Sequence, residues 1–409
     1  MKVVVLGAGV VGVSTAYMLA KQGCQVTVVD RSAVSGAGTS YANGGQLSYG
    51  YRTPIANPKV LKQLPAILLG LDPAFKITPS LDIDFYKWGI RYLLSSFPKA
   101  SSRSASVMHD LGQLAKEKIA QIVNEAAIDF DYRSRAGKLY IYENEQELLK
   151  ASKASGDSLV WSKKELLSHV PLLKSNPKVV GGVYDIEEDA ADSYKFCGEL
   201  VSFMEANLNV EFLANTAVES MSIKAGRVEY LVTNKGNIQA DKFVLAMGPQ
   251  SANFAKKIGI TLPIYPMKGY SVTVPANDAC PNISVTDTKT KTVYCKLGDR
   301  LRIAGFAELS GYDTSIKKEC IDMMLNNAQK VLPGAGDYTK VLDQWCGLRP
   351  ATPDSIPIVD QSRYDNVYLN TGHGMLGWTH STATAEILSN MILGHSQPFD
   401  VSRFSLKRF

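Results

Sequence analysis

Three glycines near the beginning of the printed sequence have a spacing that suits phosphate binding. Gly7, Gly9 and Gly12 follow the strand-like stretch KVVVL and precede a helix-like run that lasts to Gly23. The first glycine allows a tight turn, the second lets the backbone approach a pyrophosphate, and the third lets the helix pack closely on the strand. A second strand ends at Asp30, where a carboxylate can bind a ribose hydroxyl. The sequence therefore predicts a βαβ unit that binds a dinucleotide.

The segment after this unit decides which dinucleotide is expected. Residues 31–51, RSAVSGAGTSYANGGQLSYGY, are rich in Gly, Ser and Thr. Composition alone would favour a flexible surface loop. The position directly after the second strand instead suits a second loop that lines a long, extended cofactor. On this basis we expect FAD rather than NAD.

Arg349 is the residue best suited to bind a carboxylate. It lies in WCGLRPATPDSIPIVD, residues 345–360, after a strand-like DQWCGL and before a proline that is expected to break regular structure. A guanidinium group matches a carboxylate with two parallel hydrogen bonds. The simpler alternative is a surface ion pair between Arg349 and Asp354 or Asp360.

The C-terminal part contains a second glycine-rich turn before a helix. In LNTGHGMLGWTHSTATAEILSNMIL a strand is expected to end near Asn370 and a helix to run from about Thr379 to Leu393. The N-terminus of that helix offers unsatisfied N–H groups and partial positive charge. His373, inside the turn, is either a catalytic base or a structural residue that lines the cofactor, and we favour the second role.

Five stretches together resemble one family of enzymes. They are residues 7–30, GTSYANGGQLS (38–48), YPMKGYSVTVP (265–275), WCGLRPATPDSIPIV (345–359) and YLNTGHGMLGWTHS (368–381). In this order they are similar to the bacterial D-amino acid dehydrogenases. These enzymes belong to the FAD-dependent amine oxidoreductase superfamily, with glycine oxidase, sarcosine oxidase and D-amino acid oxidase. The N-terminal turn is generic, whereas the last two stretches are specific to this branch.

The resemblance implies a reaction and the residues that would carry it. The similar arginine in amino acid oxidases binds the substrate carboxylate, so Arg349 would hold Cα above the flavin N5. Hydride transfer from Cα to N5 would then give an imino acid, which water converts to a 2-oxo acid and ammonia. Lys268 and Tyr270, in MKGYS, would lie at the domain junction and contact flavin or substrate. The alternative for them is a strand with a solvated lysine.

The resemblance also implies which residues bind FAD. The strand in FVLAMGPQS (243–251) would lie against FAD, Val218 would contact adenine, and the last helix would point at the pyrimidine edge of the flavin. No cysteine fits the family's covalent attachment pattern, so FAD is expected to be non-covalent. The predicted set is Gly7, Ala8, Gly9, Val10, Val11, Gly12, Asp30, Arg31, Thr39, Ser40, Asn43, Gly44, Gly45, Gln46, Leu47, Val218, Ala246, Gly248, Gly372, Gly374, Met375, Leu376, Gly377, Trp378 and Thr379.

The expected fold is α/β, with a Rossmann-like FAD-binding domain of the glutathione reductase type and an antiparallel-sheet α+β substrate domain. Residues 1–57, 185–262 and 345–409 are assigned to the FAD-binding domain, and residues 58–184 and 263–344 to the substrate domain. GKLYIYENEQELLKAS (137–152), IYPMKGYSVTVP (264–275) and TVYCKLGDRLRIAGFAEL (292–309) are expected to form a half-exposed antiparallel sheet in the substrate domain.

Composition excludes several classes of protein. Lys and Arg number 44 against 39 Asp and Glu, and the net charge of +5 on 409 residues is too small and too dispersed for nucleic-acid binding. The six cysteines are scattered without C-x-x-C or zinc-ligand spacing, which predicts reduced thiols and no metal site. We expect a cytoplasmic protein without a secretory leader or a membrane span.

One region leaves a membrane contact open. VLKQLPAILLGL (60–71) and DFYKWGIRYLLSSFPK (84–99) mix large apolar residues with Lys and Arg. Such segments suit either helices packed inward in the substrate domain or a helix lying in a membrane interface, here the inner face of the cytoplasmic membrane. In the second case the flavin would pass electrons to a membrane quinone, as in the resembled dehydrogenases.

Three functions remain open from the sequence. The first is FAD-dependent oxidation of D-amino acids, with electrons passed to a quinone or another acceptor. The second keeps the fold but oxidises glycine, sarcosine, hydroxyproline or another secondary amino acid. The third is a non-catalytic flavin-binding subunit of a complex, for which a carboxylate-binding Arg349 would have no use.

Overall fold

A computed structural model of the protein describes residues 1–68, 75–78, 80–154, 156 and 158–409. The end of the VLKQLPAILLGL stretch, residues 69–71, lies outside the described residues. The strands are β1 (Lys2–Leu6), β2 (Gln25–Val29), β3 (Gln46–Leu47), β4 (Phe75–Ile77), β5 (Lys138–Tyr142), β6 (Leu159–Ser162), β7 (Gly181–Asp185), β8 (Asp189–Ala190), β9 (Val210–Leu213), β10 (Val218–Lys224), β11 (Arg227–Thr233), β12 (Gly236–Ile238), β13 (Lys242–Leu245), β14 (Tyr265–Pro275), β15 (Ser284–Asp287), β16 (Thr292–Leu297), β17 (Arg300–Leu309), β18 (Asp343–Ala351), β19 (Ile358–Gln361) and β20 (Val367–Thr371). The helices are α1 (Val10–Lys21), α2 (Pro58–Leu68), α3 (Ile83–Ser95), α4 (Pro98–Ala126), α5 (Glu145–Ala154), α6 (Lys163–His169), α7 (Ser193–Asn207), α8 (Gln250–Lys257), α9 (Lys318–Val331) and α10 (Gly377–Leu393).

The first sheet has the strand order β19-β20-β13-β1-β2-β9 and is parallel except for β19. The last four residues of β1 and of β2 are all buried. Such continuous apolar runs are typical of parallel strands covered on both faces. Helix α1 connects β1 to β2, so the predicted βαβ unit forms at the expected place. A separate antiparallel meander, β10-β11-β12, is inserted between β9 and β13.

Helix α4 packs differently from the sequence assignment. Residues 98–126 were assigned to the substrate domain, but Leu111, Ile119 and Ile122 lie in the same hydrophobic core as Val13 of α1 and Ile387 of α10. The apolar positions of α4 recur at helical spacing, which defines a buried face without showing which domain covers it. Helix α4 therefore packs with the core of the first sheet, although the sequence analysis assigned its residues to the substrate domain.

The second sheet has the order β18-β14-β17-β16-β15-β5-β7-β6, with β4 paired to β17. It is antiparallel except for the pairs β15–β5 and β17–β4. Ten of the eleven residues of β14 are buried, because β14 lies between β17 and β18 and both faces of the sheet are covered. The expectation of a half-exposed sheet is therefore wrong for this strand.

Two further local expectations are wrong. Residues 145–154 form helix α5 rather than a strand, and the Asn144 side chain accepts a hydrogen bond from the Glu147 N–H in its first turn. Pro350 does not end regular structure before or at Arg349, because β18 continues to Ala351 and places Pro350 opposite Pro266. Strand β18 is at the edge of the sheet, where a proline is tolerated since its missing N–H need not serve a neighbouring strand.

Candidate functional site

A cavity of about 1170 Å³ is lined by residues of both sheets. It is somewhat larger than the usual range for small-molecule sites, roughly 300 to 1,000 Å³, and so suits an extended cofactor together with a small substrate. Its wall contains the loops at the carboxyl ends of β1, β2, β13 and β20 and one face of the second sheet. Ligands of open parallel sheets bind at this end of the strands.

The phosphate turn, residues 7–12, requires its glycines for steric reasons. Gly7 has φ +106°, and a Cβ there would lie 2.6 Å from the Ala246 carbonyl oxygen. A Cβ on Gly12 would lie 1.8 Å from the Gly7 carbonyl oxygen. Asp30 accepts the Ala8 N–H at 2.7 Å, which fixes the turn against the end of β2. The turn, the N-terminus of α1 and Asp30 together fit the pyrophosphate and ribose of a dinucleotide.

The loop of residues 39–48, here the bridging loop, runs across the second sheet strand by strand. Its contacts reach β18, β17, β15 and β5 in turn, so it is not a free surface loop. They are hydrogen bonds from Thr39 Oγ1 to the Leu348 carbonyl (2.8 Å), from Arg302 Nη1 to the Asn43 carbonyl (3.1 Å), from Gln46 Nε2 to Thr286 Oγ1 (3.2 Å) and from Lys138 Nζ to Ser48 Oγ (2.7 Å). The bridging loop therefore joins the cofactor side of the cavity to the substrate sheet.

The turn of residues 372–376, here the C-terminal turn, lies between β20 and α10. Gly372 has φ +78°, and a Cβ there would lie 2.6 Å from Thr352 Cγ2. The Ala351–His373 pair forms an antiparallel bridge, which attaches the turn to the end of β18. The Ser48 N–H donates to Thr379 Oγ1 at 3.0 Å, which attaches the first turn of α10 to the bridging loop. The N-terminus of α10 is thus held at the cavity from both sides.

His373 lines the cavity as a neutral group. His373 Nε2 and the Thr384 hydroxyl form a hydrogen bond at 2.9 Å, and the Ser381 carbonyl lies 3.2 Å from the same hydroxyl. Burial, and then the neighbouring His380, lower the pKa of His373 to about 3. A group with so low a pKa is a poor base near neutral pH. This environment supports the structural or cofactor-lining role over the catalytic one.

Arg349 lines the cavity with its guanidinium group between strands. Nη1 donates to the Phe306 carbonyl at 2.9 Å. The group fits because position 269 is a glycine, whose added Cβ would lie 2.3 Å from Arg349 Nη2. Burial lowers the pKa of Arg349 to about 10, so it stays positively charged near neutral pH. Among the residues that the structure describes, no carboxylate is within 4.0 Å of this guanidinium.

The two carboxylates proposed as surface partners of Arg349 are engaged elsewhere. Asp354 binds Arg408, with Nε to Oδ2 at 2.7 Å and Nη2 to Oδ1 at 3.2 Å. Asp360 accepts the Ser405 hydroxyl at 2.7 Å and the Leu406 N–H at 2.8 Å. The surface-pairing alternative is therefore wrong. A half-buried cation at a cavity wall, without a carboxylate partner in the described chain, is suited to an anionic ligand.

Lys268 does not face the cavity and is not a solvated lysine. It is fully buried, its Nζ donates to Asp313 Oδ2 at 2.9 Å, and it lies 5.2 Å from the centroid of the Tyr270 ring. Lys268 lowers the pKa of Asp313 to about 2. Tyr270 lines the cavity, but its hydroxyl donates to Glu308 Oε2 at 3.0 Å, and burial raises the pKa of that phenol. The ammonium group of Lys268 and the hydroxyl of Tyr270 are therefore hydrogen bonded within the protein, to Asp313 and to Glu308.

Most of the predicted cofactor residues line the cavity. Those that do so are Gly7, Ala8, Gly9, Val10, Val11, Asp30, Arg31, Thr39, Ser40, Asn43, Gly44, Gln46, Val218, Ala246, Gly248, Gly374, Met375, Leu376, Gly377 and Trp378. The others, Gly12, Gly45, Leu47, Gly372 and Thr379, support the same segments from behind the wall.

Sequence reasoning missed the wall that β5 and β15 contribute. Lys138, Tyr140 and Thr286 line the cavity there, together with Ser48 and Tyr51. A signal was present, because KLYIY alternates polar or aromatic residues with buried aliphatic ones, the period of a strand with two different faces. The six cysteines are all free and buried, as expected.

The chain matches a family model described as DAO, FAD dependent oxidoreductase, over residues 2–391. A D-amino acid dehydrogenase from Paramagnetospirillum magneticum is 36% identical over 427 residues, which cover 100% of this chain and 99% of that protein. Among solved structures, glycine oxidase from Geobacillus kaustophilus matches with TM-score 0.78 and 18% identity, covering 100% of this chain and 98% of its own. L-Proline dehydrogenase from P. horikoshii matches with TM-score 0.77 and 19% identity, covering 100% and 97%. At these identities the solved structures show the shared fold alone.

Proposed function

This chain belongs to the FAD-dependent oxidoreductase family, and we propose that within it the protein is a dehydrogenase of D-amino acids. The observation that carries the proposal is Arg349, a half-buried guanidinium without a carboxylate partner in the described chain, at the wall of the cavity beside the C-terminal turn. Relatives about one third identical over their full length and named D-amino acid dehydrogenase support the choice of substrate.

The cavity has the features that FAD needs. The phosphate turn and Asp30 fit the pyrophosphate and a ribose, and the first turn of α10 offers N–H groups to the pyrimidine edge. We assign FAD a non-covalent mode of binding, because no cysteine fits the covalent attachment pattern of the resembled family. Cys346 lines the cavity, but its thiol donates to the Thr314 carbonyl at 2.7 Å. FAD, when bound, supplies the two-electron acceptor, and the protein supplies binding and orientation.

Arg349 orients the substrate. Two parallel hydrogen bonds from its guanidinium to the carboxylate fix Cα relative to the cavity wall. Gly269 leaves the space for the guanidinium, and the Phe306 carbonyl holds Nη1 in place. Because Arg349 is on a strand, the bound carboxylate is held in a fixed position, and this orients the reacting carbon. His373 is neutral near pH 7, so it adds no charge that would compete for the carboxylate.

An anaerobic titration of the purified protein tests the proposal. A panel of D- and L-amino acids with glycine, sarcosine and hydroxyproline is added while the flavin absorbance is followed. Bleaching by D-amino acids alone is the expected result. Bleaching only by glycine or a secondary amine would show the second reading of the sequence to be the right one. A flavin that dithionite reduces and no amino acid bleaches would show a non-catalytic subunit.

The surface of α3 supports a quinone as the electron acceptor. Trp88 and Tyr92 on one face are buried, and Trp88 Nε1 donates to the Ala351 carbonyl at 2.8 Å. The other face carries large exposed apolar side chains at helical spacing: Ile83, Tyr86, Ile90 and Leu94. Phe97, just after the helix, is also exposed. The helix thus has both an inward-packing face and a face that suits a membrane interface. In the described part of the chain, no helix has the length and apolarity needed to cross a bilayer.

Two measurements test the quinone and membrane parts. Substrate-dependent reduction of a soluble quinone analogue should be faster than peroxide formation in air. Co-sedimentation with anionic liposomes should occur and should weaken in the Ile90→Glu/Leu94→Glu double variant, whereas the flavin spectrum should not change. Fast peroxide release without quinone reduction would contradict the dehydrogenase assignment. Equal sedimentation of the two proteins would contradict only the role of α3.

A further inference from the structure

Trp345 of β18 is the aromatic neighbour of Arg349 at the wall of the cavity. Both residues line the cavity, and Gly347, between them, points to the same face of the strand. A Cβ on Gly347 would lie 1.8 Å from Cη2 of Trp345, so the indole extends over this glycine toward Arg349. The guanidinium of Arg349 extends over Gly269, which is opposite Gly347 on β14. Because opposed residues of antiparallel strands are roughly 5 Å apart, the indole and the guanidinium lie side by side over the two glycines.

The indole of Trp345 is also held by the bridging loop. Tyr41 of that loop packs against it, with ring centroids 6.5 Å apart, and Tyr41 in turn contacts the ring of Tyr194 at 4.9 Å. On the other side the indole lies on Gly347, where any side chain would displace it. The ring is therefore a fixed part of the wall beside the guanidinium.

The wall next to the indole and the guanidinium is apolar. Ser271, Ala304 and Val293 continue the row of Trp345 across β14, β17 and β16, because each is opposite the next in the register of the sheet. Ala304 and Val293 line the cavity with Trp345. Of the described residues of β14, β16, β17 and β18 that line the cavity, Arg349 alone carries a charge.

The polar and charged groups of the sheet that line the cavity are bonded within the protein or lie farther away. The hydroxyl of Tyr270 and the thiol of Cys346 donate to other groups of the chain. Asp287 ends β15 and Lys138 is on β5, three and four positions from β14 in the sheet, or roughly 14 and 19 Å at the usual strand spacing. Lys291, in the turn between β15 and β16, is exposed. The wall closest to a small ligand held over β14 is therefore apolar.

We propose that Trp345 is a specificity residue that packs against the side chain of the substrate and selects apolar side chains. The inference rests on the proposed function and adds a substrate class to it. A carboxylate bound by the guanidinium over Gly269 places Cα and the side chain within about one strand spacing of the indole. An apolar side chain buries surface against the ring, whereas a carboxylate or carboxamide loses water there without gaining a hydrogen bond.

The test compares kcat/KM ratios in the FAD-bound wild type and in Trp345→Leu. D-leucine, D-asparagine and D-aspartate have side chains of similar shape, and the wild type should prefer D-leucine to the other two by roughly tenfold or more. In Trp345→Leu the ratio of D-leucine to D-alanine should fall roughly tenfold, because leucine does not extend over Gly347 and D-alanine has little side chain to lose contact. Trp161→Leu is the matched control, since Trp161 is on the edge strand β6 of the same sheet and does not line the cavity. Should Trp345→Leu not retain FAD, Trp345→Phe, with its shorter ring, replaces it, and the expected fall is then about threefold.

A binding measurement separates this inference from the proposed function. 4-Methylpentanoate and propanoate are leucine and alanine without the amino group, so they bind without reacting. Perturbation of the flavin spectrum should show that 4-methylpentanoate binds the wild type and Trp161→Leu roughly tenfold more tightly than propanoate, and that Trp345→Leu loses this advantage. An unchanged advantage or unchanged substrate ratios in Trp345→Leu would overturn the role of Trp345, as would a wild type that prefers D-asparagine or D-aspartate. If no D-amino acid bleaches the flavin but the advantage depends on Trp345, the proposed function fails and the apolar site stands.

Discussion

Arg349, which is half-buried, and Lys268, which is fully buried, are cations on adjacent strands of one sheet, and their surroundings are opposite. In the register of β14 and β18, Arg349 is opposite Met267, and its guanidinium lies over Gly269. Lys268 points to the other face, beside Tyr270, where Asp313 neutralises it. One cation has its counter-ion within the chain and the other, in the described residues, does not. The difference indicates that Lys268 stabilises the fold, whereas Arg349 is available to a ligand.

The largest expected effect is that of Arg349→Ala. Loss of a two-bond ion pair to a desolvated carboxylate should cost about 2 to 5 kcal/mol, or roughly 30-fold to several-thousand-fold in kcat/KM. FAD should remain bound, since the hydrogen bonds of Arg349 go to the Lys268 and Phe306 carbonyls and not to the phosphate turn, and the flavin absorbance of the purified variant checks this. Arg227→Ala, at an exposed arginine of β11, is the control. An unchanged kcat/KM would mean that another residue binds the carboxylate.

Gly269→Ala should give the next largest effect. The new Cβ would collide with the guanidinium of Arg349 at 2.3 to 2.5 Å, so the guanidinium has to move. A displacement of this order costs about tenfold to a hundredfold in kcat/KM, because orientation is lost while the charge is kept. Steady-state kinetics with a D-amino acid give the value. Gly198→Ala, where an added Cβ meets nothing within 4 Å, should leave kcat/KM unchanged. Equal behaviour of the two variants would contradict the placement of the guanidinium.

Lys268→Met should affect stability more than substrate selectivity. The variant loses the hydrogen bond to Asp313, and since the Asp313 side chain is 44% exposed, the free energy of unfolding should fall by only about 1 kcal/mol. The ratio of kcat/KM values between D-amino acids should stay as in the wild type, since Lys268 does not line the cavity. Denaturant unfolding and steady-state kinetics measure the two quantities. A loss as large as that of Arg349→Ala would contradict the structural role.

The smallest expected effect is a difference in how the melting temperature depends on pH below about 4. Lys268 holds the pKa of Asp313 at about 2 in the folded protein, below the usual value near 4 of an unfolded chain. A depressed carboxyl pKa stabilises the fold above about pH 4, and this contribution is lost as the pH falls toward 2. In Lys268→Met the contribution is smaller, because only the two hydrogen bonds from Ser315 then lower the pKa of Asp313, so the melting temperature should fall less than that of the wild type between about pH 4 and 2. If the melting temperatures of the two proteins fall equally between about pH 4 and 2, the Lys268–Asp313 pair does not contribute to the acid dependence of stability.

The comparison also shows what the sequence can predict here. The phosphate turn was predicted correctly because its glycines respond to contacts within one βαβ unit, such as Gly12 against Gly7. The burial of Lys268 was not predicted. The alternation along MKGYS places Lys268 and Tyr270 on one face of the strand, but it does not say whether that face is covered. The pairing of β14 between β17 and β18 decides that, and those partners are far away in the sequence.

The same limit explains why Lys138 was missed and why β18 was misplaced. Lys138 lies at the cavity wall where the bridging loop reaches β5. Residues 345–351 were assigned to the FAD-binding domain, but β18 is the edge strand of the second sheet. Both facts depend on tertiary pairing between segments that no local pattern connects.

The most direct test of Arg349 is to remove the carboxylate from the substrate instead of the arginine from the protein. Anaerobic flavin reduction is measured with a D-amino acid and with its primary amide, in the wild type and in Arg349→Leu. If Arg349 binds the carboxylate, the variant should be slowed strongly with the acid and little with the amide, so that the preference for the acid collapses. An equal slowing with both substrates would contradict the assignment of Arg349 as the carboxylate-binding residue.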